Sequence, residues 1–519
     1  GTGSGNTLIS SVIGTNVTGV TQNSSTSGLT LSGTNTYTAG TTISSGILKV
    51  ASATALGAST SSVSVTSGAV LDLNGVTLTN TNPLTLNGTG ISSGGALINS
   101  SSTGAVYAGL ISLGSSTSII AGTGTIAISN SGTVLGSGFD LTLGGAQGGS
   151  VTSIIGTGAG ALTIQDAGTW TLNGANTYSG GTSISAGKLK LGHATALGAS
   201  SGAVNLTSGA VLDLNGITTT NTNPLTLNGT GLSSGGALIN GSATSAGYSG
   251  AITLGSNSSV STTSGNITLS GAIGDGGNAY SLTKISSNTL ILSGSNTYSG
   301  GTIISAGTLQ VGNSGSTGSL GSGAVTNNAA LVFKLTGTVD ISNVIGGTGT
   351  LTQSGSGTTL LSSSLNTYSG NTTISGGTLA IVSDGSLGSV PGSVTAASIT
   401  LSGGVLLGYG YPNESSATTI TLNANRGITL STNGGGLAAT TNGGYVDILT
   451  VSGVVTGSTA LTINGASQGG KVSLSGINTY SGTTTISGGT LQISGSGRLE
   501  ATGSYGGAIS IASGAVLQH

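Results

Sequence analysis

The chain has 519 residues, of which 100 are glycine, while only 8 are basic and 10 acidic, giving a net charge of −2. With 3% charged residues it lacks the surface of an ordinary globular domain, the basic face that nucleic acid requires and any basic cluster for anionic lipid. Its 35% hydrophobic content excludes a disordered polymer, and glycine does not recur at every third position as in collagen.

Cysteine and methionine are both absent. This excludes a disulfide framework and thiolate metal sites, and it is compatible with an exported protein. The chain begins Gly1-Thr2-Gly3, with neither a Met nor a signal peptide, and it has no apolar run of about 18 residues that would span a membrane. We therefore expect a processed or excised chain whose targeting information lies outside this sequence.

An internal duplication organises the first half of the chain. Residues from about 28 to 115 recur, without a gap, at about 169 to 256, a separation of 141 positions. The sequence SGAVLDLNG at 67–75, for example, returns at 208–216. Because no residue is inserted or lost, each position keeps its place in a regular lattice.

A shorter motif around Asn-Thr-Tyr occurs five times, and its copies cover residues 27–50, 168–191, 288–311, 358–381 and 470–493. In the first copy Leu29 and Leu31 alternate with polar residues, and Ile43, Leu48 and Val50 do so after the turn. Alternation with period two predicts short strands with one buried face, and no segment shows the helical period.

Two positions of the motif predict corners. A glycine follows each motif tyrosine by nine positions, and the five glycines are Gly46, Gly187, Gly307, Gly377 and Gly489. A tight corner needs a positive φ or a close backbone approach, and glycine permits both. Asn35 and its four equivalents precede the tyrosines by two positions, and we expect their amides to stack as a ladder at a corner.

Short strands, glycine corners and repeats that cannot bury a core alone predict a solenoid. The fold class is therefore all-β, a single long parallel β-helix (β-solenoid) of stacked degenerate repeats that continues over residues 1–519. At roughly 20–25 residues per coil, neighbouring coils lie about 4.8 Å apart and satisfy each other's backbone.

The segment GAIGDGGNAYSLTKISSNTLILSGSNTYSGGTIISAGTLQVGN at 271–313 resembles the passenger-associated transport repeat, also called the autotransporter-associated β-strand repeat. The other four motif copies share its pattern, and together the copies make up roughly a quarter of the chain. The resemblance implies a right-handed parallel β-helix that is exported to the bacterial cell surface, commonly as an adhesin or a giant surface protein.

The residues that carry chemistry are sparse and scattered. Asp72 and Asp213 occupy equivalent positions in the duplication, which predicts a role in the lattice or at a solvated corner. His193 and His519 are the only histidines, and His193 replaces Ser52 of the other copy. We therefore predict that the chain is not an enzyme and has no catalytic, cofactor-binding or metal site.

Three further sequence patterns have a plain structural interpretation. The G-x-S-x-G matches at 90–94 and 231–235 are interpreted as turns, since they lack a strand–elbow–helix context. The Gly274–Asn278 segment resembles a single calcium-binding repeat, but such sites need stacked copies, so a turn is predicted. Four tyrosines outside the motif, Tyr409, Tyr411, Tyr445 and Tyr505, are candidate carbohydrate contacts, but local packing over a loop is the favoured interpretation.

The ends of the chain give two hypotheses for its partners. Neither terminus resembles a cap, and the chain stops at SGAVLQH (513–519), in the middle of a repeat module. We expect either continuation in a longer repeat protein or end-to-end stacking of separate chains.

The leading hypothesis for function is a non-catalytic extracellular structural scaffold, as a cell-surface stalk, matrix fibre or head-to-tail filament. The first alternative is an adhesin-type passenger that binds glycan or a host surface through variable inserts near 404–415 and 436–447. The second is a β-helical carbohydrate-active enzyme, which requires a groove that gathers three or more acids and bases.

Overall fold

The structure is a computed structural model that describes residues 5–411, 415–442, 444–465, 468–500 and 505–519. The chain divides into two compact units, Gly1–Gly271 and Ala272–His519. Each unit is a β-solenoid of stacked parallel coils, so the predicted all-β fold class is confirmed. Continuity of a single solenoid over residues 1–519, and its handedness, stay predictions.

The first unit contains short strands joined by turns. Its strands are β1 (Thr7–Ile9), β2 (Val20–Asn23), β3 (Leu29–Leu31), β4 (Thr41–Val50), β5 (Val63–Val65), β6 (Ala69–Asp72), β7 (Leu84–Gly88), β8 (Leu97–Ile98), β9 (Ala105–Tyr107), β10 (Ile111–Ile120), β11 (Ile126–Ile128), β12 (Thr133–Gly136), β13 (Leu141–Gly144), β14 (Gly148–Val151), β15 (Ile154–Gly156), β16 (Leu162–Ile164), β17 (Thr169–Leu172), β18 (Thr182–Ile184), β19 (Lys188–Leu191), β20 (Val204–Leu206), β21 (Val211–Asp213), β22 (Leu225–Gly229), β23 (Leu238–Ile239), β24 (Ala246–Tyr248), β25 (Ile252–Ser261) and β26 (Ile267–Leu269). Two single-turn 3-10 segments accompany them, Ile91–Ser93 and Leu232–Ser234.

The second unit has the same character. Its strands are β27 (Ile273–Gly274), β28 (Leu282–Ile285), β29 (Thr289–Leu292), β30 (Thr302–Ile304), β31 (Thr308–Gly315), β32 (Val325–Asn327), β33 (Ala330–Leu335), β34 (Thr338–Ile341), β35 (Ile345–Gly346), β36 (Thr350–Gln353), β37 (Thr358–Leu361), β38 (Thr372–Ile374), β39 (Thr378–Ile381), β40 (Thr395–Leu401), β41 (Val405–Gly408), β42 (Thr419–Leu422), β43 (Arg426–Leu430), β44 (Gly435–Ala439), β45 (Thr441–Asn442), β46 (Tyr445–Val446), β47 (Ile448–Val451), β48 (Val455–Gly457), β49 (Leu461–Ile463), β50 (Lys471–Leu474), β51 (Thr484–Ile486), β52 (Thr490–Ile493), β53 (Ile509–Ile511) and β54 (Val516–Gln518). It holds one 3-10 segment among the described residues, Asp384–Leu387.

Parallel pairing runs through the first unit in three columns of strands. One column follows β3, β4, β6, β8, β10, β13, β16, β18, β20, β22 and β25. A second follows β2, β4, β5, β7, β10, β12 and β15. A third follows β9, β11, β14, β17, β19, β21, β23 and β25. Each coil is thereby hydrogen-bonded to the coil before it and the coil after it.

The second unit repeats this arrangement with one exception. An eight-stranded parallel sheet runs through β34, β37, β39, β41, β44, β49, β51 and β53, and a five-stranded one through β42, β47, β50, β52 and β54. Among the described residues of this unit, β45 and β46 form the one antiparallel pair. That hairpin lies in the insert between β44 and β47.

The core of each unit consists of inward-facing aliphatic side chains stacked coil upon coil. In the first unit one such column consists of Leu29, Leu48, Leu71, Leu97, Ile119 and Leu143, which are paired in register and buried. Burying each aliphatic side chain contributes about 1.5–3 kcal/mol. The predicted alternation is confirmed in strands such as β3, where the half-buried Thr30 separates the buried Leu29 and Leu31.

The predicted glycine corners are confirmed. The five glycines have φ angles of 70°, 65°, 68°, 50° and 53°, in the order Gly46, Gly187, Gly307, Gly377 and Gly489. A Cβ at any of them would overlap a carbonyl oxygen of the preceding coil. Both reasons for glycine, the positive φ and the close approach, therefore apply at once.

The motif tyrosines are buried, and each shares a hydrogen bond with the threonine four positions later. The Tyr–Thr hydroxyl separations are 2.7 or 2.8 Å at Tyr37, Tyr178, Tyr298, Tyr368 and Tyr480. Burial raises the pKa of all five phenols, and it brings that of Tyr368 to about 12. These hydroxyls therefore stay protonated and serve the packing of the corner.

The predicted asparagine ladder is wrong. The Oδ1 of Asn176 accepts the N–H of Ile155 at 2.8 Å, and its Nδ2 donates to the carbonyl of Ala196 at 2.6 Å. The other four copies make the same pair of bonds, one to each neighbouring coil. Because the copies lie at least 70 positions apart, more than one coil separates them, and their amides cannot meet.

Candidate functional site

Asp72 lies at a corner of the lattice and is 2% exposed. Its Oδ1 accepts the N–H groups of Asn74 at 2.9 Å and Ser100 at 3.1 Å, and its Oδ2 accepts the Ser100 hydroxyl at 2.6 Å. The ammonium of Lys49, in the preceding coil, lies 3.4 Å from Oδ2. The carboxylate thus joins three consecutive coils, which confirms the lattice role.

Asp213 repeats the backbone hydrogen bonds of this arrangement in the second copy of the duplication. Its Oδ1 accepts the N–H groups of Asn215 and Gly241, both at 2.9 Å. Asn215, like Asn74, has a positive φ, and the aspartate stabilises that turn by accepting the N–H two residues on.

Neither histidine is hydrogen-bonded to a carboxylate among the residues that the structure describes. His193 Nδ1 lies 3.0 Å from the Thr195 hydroxyl and accepts the Thr195 N–H at 3.1 Å, so it closes a local turn. His519 is exposed and lines a cavity of about 330 Å³ with Arg498, Glu500 and Tyr505.

The two G-x-S-x-G segments are turns, as predicted. Each forms a single 3-10 turn with no helix after it. Ser92 and Ser93 have φ angles of 50° and 61°, and the equivalent serines of the second copy match them. The strand–elbow–helix geometry of a nucleophilic serine is not formed.

The Asp275 loop is also a turn, as predicted. Asp275 Oδ2 accepts the N–H and the hydroxyl of Ser299, both at 2.9 Å, and the N–H of Tyr280 at 3.1 Å, while Oδ1 accepts the N–H of Gly277 at 3.0 Å. The Ser299 N–H, together with the other donors, lowers the pKa of this carboxyl to about 2. Its oxygens are occupied by the protein's own donors.

Four turns that follow the motif tyrosines are capped by polar side chains of the next coil, which the sequence analysis missed. Asn82 Nδ2 donates to the carbonyls of Leu56, Ala58 and Ser61 at 3.2, 2.7 and 2.9 Å. Asn223 and Asn343 cap the equivalent turns of the next two copies. Two sequence features could have indicated these caps. A Leu-Gly pair begins 19 to 22 positions after each of the four tyrosines, and in three copies an asparagine lies 45 positions after the tyrosine.

Arg426 takes the place of asparagine in the fourth turn and is 2% exposed. Its Nε lies 2.8 Å from Asp384 Oδ1. Its two terminal nitrogens donate to four carbonyls of the same turn, those of Asp384, Leu387, Gly388 and Ser389. The longer reach of arginine fits a coil with a longer insert, since Arg426 lies 58 positions after Tyr368.

Lys284 is a second buried cation that the sequence analysis did not single out. Its side chain is fully buried, and its Nζ donates to the carbonyls of Ile285, Ser286 and Ala306 at 2.9, 2.6 and 2.9 Å. Burial lowers its pKa to about 8. Gln22 and Gln353 occupy comparable positions in other copies and bond carbonyls in the same way.

The candidate tyrosines at 409, 411, 445 and 505 differ in exposure and packing. Tyr505 packs locally, with its ring centroid 5.6 Å from that of Tyr480 and its hydroxyl 2.7 Å from that of Thr484. Tyr411 and Tyr445, by contrast, are 43% and 42% exposed. The local-packing interpretation therefore holds for Tyr505, while two rings are presented to solvent.

Those exposed rings lie in two inserts of the second unit, one after β41 and one between β44 and β47. Residues 408–411 and 440–447, called here the tyrosine insert, include the antiparallel hairpin and exclude Gly443, which lies outside the described residues. Tyr409 and Tyr411 meet edge to face, with centroids 5.8 Å apart. Tyr409 in turn packs against the buried cluster of Leu360, Ala380, Leu407 and Ala438. This insert is the candidate binding site.

Metal-ligand clusters and membrane-spanning helices are both absent from the described ranges, which leave gaps at 412–414, 443, 466–467 and 501–504. No group of three side chains of the types that ligate metals comes together there. Likewise no helix in that part of the chain has the length and apolarity to cross a membrane.

Comparison with known proteins bears on these coils. The family model of the passenger-associated transport repeat matches residues 26–50, 162–191, 282–311, 351–381 and 466–493. The chain is also 28% identical over 326 residues to the Adhesin BmaC autotransporter of Brucella suis biovar 1 (strain 1330). That alignment covers 62% of this chain but spans only 6% of the adhesin's length. No solved structure matches the chain.

The repeat matches fall on all five predicted motif copies. These copies carry the buried tyrosines, the asparagines that bond both neighbouring coils and the corner glycines. The similar adhesin is itself an autotransporter. The chain therefore carries five passenger-associated transport repeats and is similar to an autotransporter adhesin, which indicates at a coarse level a protein that is at the cell surface or secreted.

Proposed function

We propose that this chain is a non-catalytic extracellular scaffold that forms part of a cell-surface stalk, matrix fibre or filament. The proposal rests on the hydrogen bonds of its few acidic side chains, which accept from the backbone of the chain itself. Within the described residues, backbone N–H groups donate to seven aspartates, which are Asp72, Asp140, Asp166, Asp213, Asp275, Asp384 and Asp447. A carboxylate held in this way stabilises a coil.

The alternative of a carbohydrate-active enzyme needs a carboxyl group whose proton can reach a substrate. A cavity of about 540 Å³ in the first unit is lined by Asp72, Lys49, Ile47, Ile91 and Ile98. Its one acid is Asp72, whose oxygens are occupied by Asn74, Ser100 and Lys49. This occupancy supports a structural role for the acid that lines the cavity.

A direct test is to incubate the purified chain with neutral and acidic polysaccharides and to measure the release of reducing ends or unsaturated products. We expect no release above that of a heat-denatured sample. Release that disappears in an Asp72→Asn variant, with unchanged circular dichroism, would overturn the non-catalytic proposal.

End-to-end pairing is the second part of the proposal. Strands β53 and β54 pair with β51 and β52, and their apolar side chains are exposed, at 39% for Ile509, 48% for Ile511 and 50% for Val516. The residues that pair with Ile509 and Ile511, Thr484 and Ile486, are buried. An added coil, from a second copy or from further chain, would bury these side chains in the same way.

Electron microscopy at several concentrations tests the pairing. Particles that lengthen with concentration support stacking of separate copies. Particles of one fixed length at every concentration contradict it and leave the scaffold without self-association.

An adhesin-type passenger is the second candidate, and the tyrosine insert favours it. The exposed Tyr445 and the neighbouring Val446, 46% exposed, lie on the hairpin. The exposed Tyr411 follows Gly410, whose carbonyl accepts a hydrogen bond from the hairpin residue Asn442. The adhesin name of the similar protein points the same way. Attachment of particles coated with the purified chain to host cells, compared with uncoated particles, tests this function.

A further inference from the structure

The two halves of the tyrosine insert are fixed to each other through Gly410. Its N–H donates to the Thr440 hydroxyl at 2.9 Å, and its carbonyl accepts from Asn442 Nδ2 at 2.6 Å. A Cβ at residue 410 would overlap the carboxylate of Asp447, so glycine is needed there. Segments about 30 positions apart in the sequence thus form one surface.

Asp447 is the anchor of this surface and is 2% exposed. Its Oδ2 accepts the Thr440 hydroxyl at 2.6 Å and Asn442 Nδ2 at 2.8 Å, and its Oδ1 accepts the Thr418 N–H at 2.8 Å. A buried carboxylate with this many donors holds its neighbours firmly. The backbones that carry Tyr411 and Tyr445 are therefore set before any ligand arrives.

The exposed groups on this anchored surface are aromatic and neutral. Tyr411 stands edge to face on Tyr409, which restricts its ring, and Tyr445 extends from the hairpin strand paired with Asn442. Residues 404–411 and 436–446 contain no charged side chain. A tyrosine ring offers a flat apolar face with a polar rim and loses little conformational entropy on binding.

These properties select the chemistry of a ligand. A pyranose ring presents C–H groups on one face and hydroxyl groups around its rim, which matches exposed tyrosine rings beside amide and hydroxyl groups. Anionic ligands find no cation in the insert. We propose that Tyr411 and Tyr445 form a binding site for neutral pyranose units of a glycan, an inference that rests on the adhesin-type function proposed above.

The test uses the purified full chain and an immobilised panel of neutral oligosaccharides of hexose, N-acetylhexosamine and deoxyhexose units. We expect retention on at least one of them, reduced at least tenfold in the Tyr411→Ala/Tyr445→Ala double variant. The Tyr411→Phe/Tyr445→Phe variant keeps the flat rings and should keep most of the binding. Leu365→Ala, which trims a 69% exposed leucine outside the insert, is the matched control and should bind as the parent does.

Three outcomes overturn the glycan site. They are no retention on any neutral oligosaccharide, equal retention by the alanine double variant, or retention by acidic oligosaccharides or host proteins alone. The adhesin-type function is judged separately, from the attachment of coated particles to host cells. If particles coated with the double variant still attach, the glycan-site proposal is wrong and the adhesin-type function is supported. If particles coated with the parent chain do not attach, the adhesin-type function is wrong.

Discussion

Arg426 and Asp384, 42 positions apart in the sequence, form an ion pair in which Nε lies 2.8 Å from Oδ1 and the arginine is 2% exposed. Asp384 opens a 3-10 turn whose carbonyls the same guanidinium caps. The pair therefore stabilises the turn beside the motif residue Tyr368, whose pKa is lowered by the nearby charge although burial raises it overall.

Arg426→Ala should destabilise this corner by about 3–5 kcal/mol, because it leaves the Asp384 carboxylate without its charged partner and several carbonyls without their donor. Hydrogen exchange of the peptide that contains residues 384–389 measures the effect locally, which suits a repeat protein whose coils open separately. Asn343→Ala, at the equivalent turn of the third copy, removes a neutral cap and should cost about 1–3 kcal/mol there. Equal protection of the 384–389 peptide in parent and Arg426→Ala would contradict the capping role.

Lys284 should make stability depend on pH in the alkaline range. Its pKa is about 8 in the folded chain, below the ordinary lysine value of about 10.4, so the unfolded chain binds more protons between these pH values. The free energy of unfolding contributed by this group therefore rises from about pH 8 toward pH 10. Lys284→Gln, which introduces the residue found at the comparable positions Gln22 and Gln353, should lack this rise in urea unfolding at pH 7.5, 8.5 and 9.5. A parallel rise in both proteins would assign it to other groups.

Gly187 should not accept alanine. Its φ of 65° strains any other residue by about 1–2 kcal/mol, and a Cβ would also overlap the carbonyl oxygens of Asp166 and Gly168. Gly209 is the control, because its φ is 93° but nothing lies within 4 Å of a Cβ there. Thermal unfolding should show Gly187→Ala clearly less stable than Gly209→Ala. Equal losses would mean that conformational strain alone explains the corner glycines.

Substitutions at Tyr178 and Thr182 should have non-additive effects on the free energy of unfolding. Tyr178→Phe leaves the buried Thr182 hydroxyl without its 2.7 Å partner and should cost about 1–2 kcal/mol. Adding Thr182→Val removes both polar groups and should recover part of that loss. A double-mutant cycle in urea measures the coupling, and simple additivity would show that the hydrogen bond contributes nothing.

Asp275 should contribute to stability in acid. Its folded pKa of about 2 lies below the ordinary aspartate value of about 3.9, so its contribution is present above about pH 4 and is lost as the pH falls toward 2. Asp275→Asn should be less stable than the parent at pH 6 and approach it near pH 2. Hydrogen exchange of residues 274–280 at the two pH values checks this, with Asp340→Asn as a matched control.

The sequence by itself determined the fold class and the corners. Leu29 and Leu31 alternate with polar neighbours, and Gly46 recurs at a fixed distance from Tyr37 in five copies, so strands, corners and stacking follow from local geometry. The duplication also indicated that Asp72 and Asp213 share one structural role, because equivalent lattice positions have equivalent partners. These features depend on neighbours a few residues away or on an exact repeat.

Only the tertiary structure decided which distant groups meet. Asn176 bonds the coils on either side rather than another asparagine, and the capping reach of Arg426 depends on how the long insert folds back. The joining of Gly410 to Asn442 likewise depends on the stacking of coils of unequal length. Periodicity predicts which face a side chain occupies, but coil length sets which residue lies above it, and variable inserts change that length from one coil to the next.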